Sequence, residues 1–252
     1  MTHLPETPVD AAAQPRMEHD IAESLHSAAH RIRLRERAQL YRDQSAAFAE
    51  WAQGVGVIQH SDATQVRIYE LAELLARRGL TSTRDEAFAI LRAADRVACA
   101  AMSVVVHMTY ARKLYRDGRD LIADDFKREP EGHTGGALNM VPAYAGYLAI
   151  NALTGVTRAW VMGQGHCVAA IDAANVIVGN MSAAHAERYD CTDAGLTRLV
   201  QDFYRCEVRA DGAPVSPLGS HVNQYTAGGI MEGGYLGFAE VQYVHMPLPG
   251  ER

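Results

Sequence analysis

The chain has 252 residues, 48% of them hydrophobic and 21% charged, so it can bury a full core and is too apolar for wholesale disorder. With 24 basic against 30 acidic residues, a net charge of −6 and no basic block, it lacks the phosphate-seeking surface that a nucleic-acid partner requires. Four cysteines without a CxxC pair, and no basic-then-apolar leader before Met17, point to free thiols in a reducing cytoplasm.

Residues 1–15 are rich in Pro, Thr and Ala and read as a flexible lead-in. From about 20 to 53 the spacing predicts one helix. Leu34, Ala38, Tyr41, Ala47, Phe48 and Trp51 share its apolar face, Arg33, Arg35, Glu36 and Arg42 stay wet, and Gly54 and Gly56 stop it. A second helix covers 66–76 and ends at Gly79. Thr83 caps a third, long one over 85–116 with Phe88, Leu91, Val97, Met102 and Val105 turned inward. Arg92, Asp95 and Arg96 interrupt its apolar stretch, which excludes a membrane span there. Residues 16–109 thus read as a helical extension that packs against something.

After Pro130 glycines become frequent and histidines sit beside them. Residues 142–151 predict a helix, 157–162 (TRAWVM) a short buried strand, 169–178 a helix packed on a sheet, 194–204 a helix, 211–229 a long loop, and 237–243 the start of another helix. Strand, glycine turn and helix in this order is the pattern of a largely parallel sheet flanked by helices, an α/β fold that binds ligands beyond the carboxyl ends of its strands. Residues 110–252 would form that domain.

Three clusters carry chemistry: EGHTGGALNM at 131–140 with His133, MGQGHCVA at 162–169 with His166, and GSHVNQYTAGGIMEGGYLG at 219–237 with His221. Glycine lets successive backbone N–H groups converge on an anion, and imidazole adds a donor that titrates near neutral pH. Each cluster also has a plainer reading. His133 caps the helix that follows, His166 hydrogen-bonds inside the core, and His221 is a surface loop residue. No HExxH-like spacing exists to suggest zinc, and the adjacent His166 and Cys167 would point apart, against a Cys–His nucleophile.

Together the clusters resemble the amino-terminal thiamine-diphosphate domain of phosphoketolases, a branch of the transketolase-like enzymes. Residues 110–129 (YARKLYRDGRDLIADDFKRE) resemble the approach to that family's GHWG motif, which here reads GHTG at 132–135. Its GPGHG appears as GQGHC at 163–167. Its SHxxPETPGSIHEGGELGY loop is similar to residues 220–238, where Ser220, His221, Ile230, Glu232, Gly233, Gly234, Leu236 and Gly237 match and the PETP core has become QYTA.

The resemblance implies a thiamine diphosphate-binding fold, incomplete here. His133, His166 and His221 would line the reaction centre, Gly163 and Gly165 would permit the tight turn presenting His166, and Gly233 and Gly234 would approach the diphosphate. It implies thiamine diphosphate and Mg²⁺ as cofactors, and a ketose-like substrate whose C–C bond is cleaved next to the ketone, with transfer of a two-carbon unit. The family's GDG motif, which holds Mg²⁺, and its pyrimidine-binding domain do not occur in these residues. The expected partner is therefore a second polypeptide carrying both, in a hetero-oligomer with two-fold symmetry. The competing expectations are a non-catalytic structural or regulatory subunit that keeps the fold, and a free-standing small-molecule-binding domain.

Overall fold

A computed structural model of the chain describes residues 27–162, 167–205, 207, 209–212, 215, 221–223 and 226–228. The expected lead-in at 1–15 and the helix start at 237–243 lie outside these residues.

The single helix expected over 20–53 is two helices, α1 (Ala28–Gln44) and α2 (Ala46–Ala52), hinged on Ser45. Ser45 is extended (φ −142°), and its Oγ accepts from Phe48 N at 3.1 Å and donates to Asp85 at 3.3 Å. A serine that can bond the next turn's N–H competes with helix continuation, so one residue both ends α1 and caps α2. The hinge turns Phe48 and Trp51 into a small aromatic core with Tyr69 and Phe88. Helix α3 (Asp62–Arg77) is capped by Ser61, and α4 (Arg84–Tyr110) by Thr83, whose Oγ1 accepts from Glu86 N. Helix α4 stops at Tyr110, short of the expected 116.

Its first turns belong to the aromatic core. Its later residues Ala98, Ala101, Val104, Val105 and Met108 enter the main core. That core is shared with α5 (Thr134–Thr154), α6 (Ala169–Val178) and α8 (Asp193–Asp202), with the short α7 (Ala183–Arg188) between the last two. Helix α5 begins eight residues before the expected start, which leaves Pro142 in its interior.

Strands are few. β1 (Trp160–Met162), β2 (His221–Asn223) and β3 (Thr226–Gly228) form a sheet in the order β1-β3-β2, with β1 parallel and β2 antiparallel to β3. The last two fall inside the stretch expected to be loop. The expectation of an α/β fold with a largely parallel sheet flanked by helices is therefore corrected: the described chain is predominantly α-helical, and its sheet is small and mixed. The reason lies in α6. Its run AAIDAANVIV buries nearly every residue, as a helix on a sheet would, yet its main neighbours are α4 and α5, with only a slight contact to β2. Alanines at 98, 101, 137, 145, 169, 170, 173 and 174 are small enough for helices to replace the sheet as packing partners. Among the described residues no helix is long and apolar enough to cross a membrane.

Candidate functional site

The segment after α4 is clamped onto α8 before it reaches the first glycine–histidine cluster. Leu114 N donates to Thr197 Oγ1 at 3.2 Å, Gln201 donates to Arg112 O at 3.0 Å, and Arg116 N to Asp193 at 3.1 Å. Half-buried Lys127 then ties two helix ends together, donating to Met108 O at 2.6 Å and Phe203 O at 3.3 Å. Burial pushes its ammonium below the usual lysine range.

These ties bring Gly132 onto the Phe203 ring. A Cβ at Gly132 would stand 2.8 Å from Phe203 Cε1, and its φ of +119° suits only glycine. The next residue, exposed His133, is the N-cap of α5, its Nδ1 accepting from Gly136 N at 2.9 Å. Thr134 Oγ1 donates to Thr109 Oγ1 at 2.8 Å, fixing the helix start against the end of α4. With Nδ1 an acceptor, the neutral ring carries its proton on Nε2. Around Gly135 nothing among the described residues lies within 4 Å of where a Cβ would stand, so the first turn of α5 is open on that side.

Gly136 joins the first cluster to the second. A Cβ there would stand 2.5 Å from His133 Nδ1 and 2.7 Å from the sulfur of buried Cys167. The third cluster meets the second through the sheet. β1 leads directly into 163–166, and it pairs along its length with β3, Met162 opposite Gly228, while β3 carries β2 and His221 on its other edge. Trp160 anchors β1 to α5 through edge and tilted ring contacts with Tyr144 and Tyr147.

Of the residues singled out in the sequence, His133 is placed as a helix cap at the corner where α4, α5 and α8 meet, and the backbone of His221 lies in β2. His166, Gly163, Gly165, Gly233 and Gly234 lie outside the described residues. Capping was one of the two readings of His133, and the structure shows it.

Sequence reasoning passed over Asp172. This carboxyl is 1% exposed on α6, five residues after Cys167, and neither oxygen has a hydrogen-bond partner among the described residues. Burial raises it to about 7, so it holds a proton much of the time at neutral pH. The signal was a lone acid in an otherwise apolar helix. Phe203 was passed over too, because its nearness to Gly132 is a contact across 71 residues that no local pattern announces.

Among the described residues no group of three or more His, Cys, Asp or Glu side chains is placed to hold a metal. For a diphosphate, the described part that fits is the glycine turn at the start of α5, where nothing described crowds Gly135. A family model described as the XFP N-terminal domain matches residues 85–244, from the first turn of α4 through all three clusters. No curated protein and no solved structure matches the chain.

Proposed function

The chain belongs to the XFP N-terminal domain family, the amino-terminal domains of phosphoketolases, and from that membership we propose that it is one subunit of a thiamine diphosphate-dependent enzyme. In this reading it cleaves a C–C bond next to a ketone in a ketose-like substrate and transfers a two-carbon unit. A second polypeptide supplies the Mg²⁺ ligands and the pyrimidine-binding domain, and the assembly is a two-fold pair of heteromers. The single observation that carries the reading is the meeting at Gly136 of the His133 and Cys167 clusters, within the matched region.

Bound thiamine diphosphate would supply the electron sink for the bond cleavage. The chain's own residues have more limited work. His133 holds the first turn of α5 through the bond from Gly136 N to its Nδ1, at the position where the family resemblance sets a reaction-centre histidine. His133, His166 and His221 would together shuttle protons and hydrogen-bond developing oxyanions, as the family resemblance implies for all three. Gly163 and Gly165 would shape the turn at His166, and Gly233 and Gly234 would let the backbone approach the diphosphate.

A second reading, a subunit that keeps the fold without the chemistry, is favoured by the cysteine at 167 filling the space beside Gly136 where the family motif has glycine. Calorimetry with thiamine diphosphate and Mg²⁺ separates the two. Binding by the chain together with its co-purifying subunits supports the enzyme, and binding in neither the chain alone nor the complex ends that reading. In the complex, His166→Ala should abolish turnover while leaving assembly intact, and unchanged turnover removes His166 from its role.

A further inference from the structure

Helix α6 buries two polar side chains, Asp172 and Asn175, and satisfies one of them. Asn175 donates to Tyr144 Oη at 2.8 Å, and its Oδ1 accepts from Tyr144 at 3.1 Å and from Asn180 at 2.9 Å. Asp172, one turn earlier on the same face, has neither oxygen bonded among the described residues. A buried carboxyl without a partner is destabilising, and far more so once it ionises.

No charge among the described residues relieves it. Helix α5 holds no charged residue, and of its tyrosines Tyr144 is bonded to Asn175. On α4, Arg92 and Asp95 pair with Glu50 and His60, Arg96 is exposed, Cys99 lies against Gly56, and His107 is bonded to Ser103 O. Strand β2 carries His221, and the remaining buried ionisable members of this core are Cys167 and Tyr189, the latter bonded to Asp202. Burial is the whole cause that keeps the proton on Asp172.

Two forces oppose each other at this position. Asp172 stands in the first turn of α6, where the helix dipole favours a negative charge, and its burial disfavours one. Helices α5 and α6 run side by side in one direction, Gly136 meeting Cys167 at one level and Tyr144 meeting Asn175 further along. Asp172 lies between these two contacts. Side chains on a helix lean towards its N-terminus, which carries the carboxyl towards the level of Cys167. Loosening that turn from α5 would admit water to the carboxyl, and the dipole would then favour its charge.

We propose that the proton on Asp172 fastens the start of α6 to α5: with it the Cys167 thiol stays seated on Gly136, and without it the first turn loosens and exposes that thiol. The coupling does not need a bound cofactor, since Asp172, Cys167 and Gly136 all belong to this chain's own core. Its direction follows from the two states. A wetted carboxyl titrates near the ordinary 3.8 and the closed one at about 7, so loosening is increasingly favoured as pH rises between these values and gains nothing further above them.

The test is alkylation of the full chain by N-ethylmaleimide from pH 5 to pH 8, with each cysteine read by mass spectrometry of its peptide. Exposed Cys191 is the internal reference, so that the common rise of thiolate with pH cancels. The labelling of Cys167 relative to Cys191 should rise roughly ten-fold or more from pH 5 to pH 7 and stay level above. Half-buried Cys99, on α4, should keep a constant ratio. Asp172→Asn should flatten the Cys167 profile, and so should Asp172→Leu, which fills the space without a polar group and serves where the amide variant fails to fold. A flat wild-type ratio, or one that rises towards acid, overturns the proposal, and so does a rise that persists in either variant. A parallel rise at Cys99 shows the whole core opening and overturns it as well.

Discussion

His133 and Cys167, far apart in the sequence, press on the same glycine: the imidazole Nδ1 lies 2.5 Å and the thiol sulfur 2.7 Å from the point a Cβ of Gly136 would occupy. The first turn of α5 is thus shaped by two clusters at once. His133 is exposed and can swing away, at the cost of its bond to Gly136 N, whereas Cys167 is buried and has nowhere to go.

Gly136→Ala should therefore destabilise the chain by about 1–3 kcal/mol, the usual cost of overpacking. A methyl forced against a buried sulfur is relieved by shrinking the partner, so adding Cys167→Gly should recover part of the loss. A double-mutant cycle in urea reads this as a coupling above about 0.5 kcal/mol. Strict additivity would show that the two residues do not press on each other in solution.

Asp172 sets a slope of stability against pH. Its folded pKa, about 7, lies above the 3.8 of an unperturbed carboxyl because burial disfavours the charge. The folded state consequently holds a proton that the unfolded state releases. That contribution is complete below pH 3.8, is lost as pH rises towards 7, and amounts to about 4 kcal/mol over the window. Asp172→Asn removes the ionisation. The stability difference between variant and wild type should grow in the variant's favour from pH 4 to pH 7 and stay flat above. Parallel pH profiles would mean that Asp172 finds a charge partner in solution.

Local signals were legible in the sequence where a residue acts on its own turn. Thr83 caps α4 and Gly79, with φ +67°, follows the end of α3, both as the spacing predicts, and Phe88 and Val105 are buried as expected. What local pattern missed was competition and context. Ser45 reads as one more residue of an amphipathic run, and only its reach to Phe48 N and Asp85 makes it a break. A capping histidine does not say how soon its helix begins, and Pro142, the more familiar start signal, draws the helical reading forward to 142–151. An all-apolar α6 is silent about whether a sheet or two helices will cover it. At the candidate site, the motifs identified the family, which the matched model bears out over residues 85–244. The contact of Phe203 with Gly132 is purely tertiary.

Asp202 is the electrostatic keystone of that corner. Burial alone would raise its carboxyl, but hydrogen bonds from Arg188 at 2.5 Å and Tyr189 at 2.9 Å outweigh it and hold the pKa below the ordinary value. A lowered folded pKa means stabilisation present above the unfolded pKa of 3.8 and lost as pH falls through the folded one. Asp202→Asn leaves two arginines facing an amide and should cost about 3 kcal/mol at neutral pH, with the deficit shrinking in acid. A variant as stable as wild type at pH 7 would show these ion pairs to be spectators.

Ser45 offers a test of the hinge between α1 and α2. Replacing its hydroxyl removes the cap on Phe48 N and the bond to Asp85, so Ser45→Ala should lose about 1 kcal/mol in urea unfolding. Aspartate is ordinarily as good a cap as serine, yet here it would face Asp85 across the same short gap, so Ser45→Asp should be worse than Ser45→Ala at pH 7. Lowering the pH to protonate one of the two carboxyls should reverse that order. If Ser45→Asp instead matches the wild type at neutral pH, the Asp85 contact plays no part in the hinge, and the break between the helices rests on the cap alone.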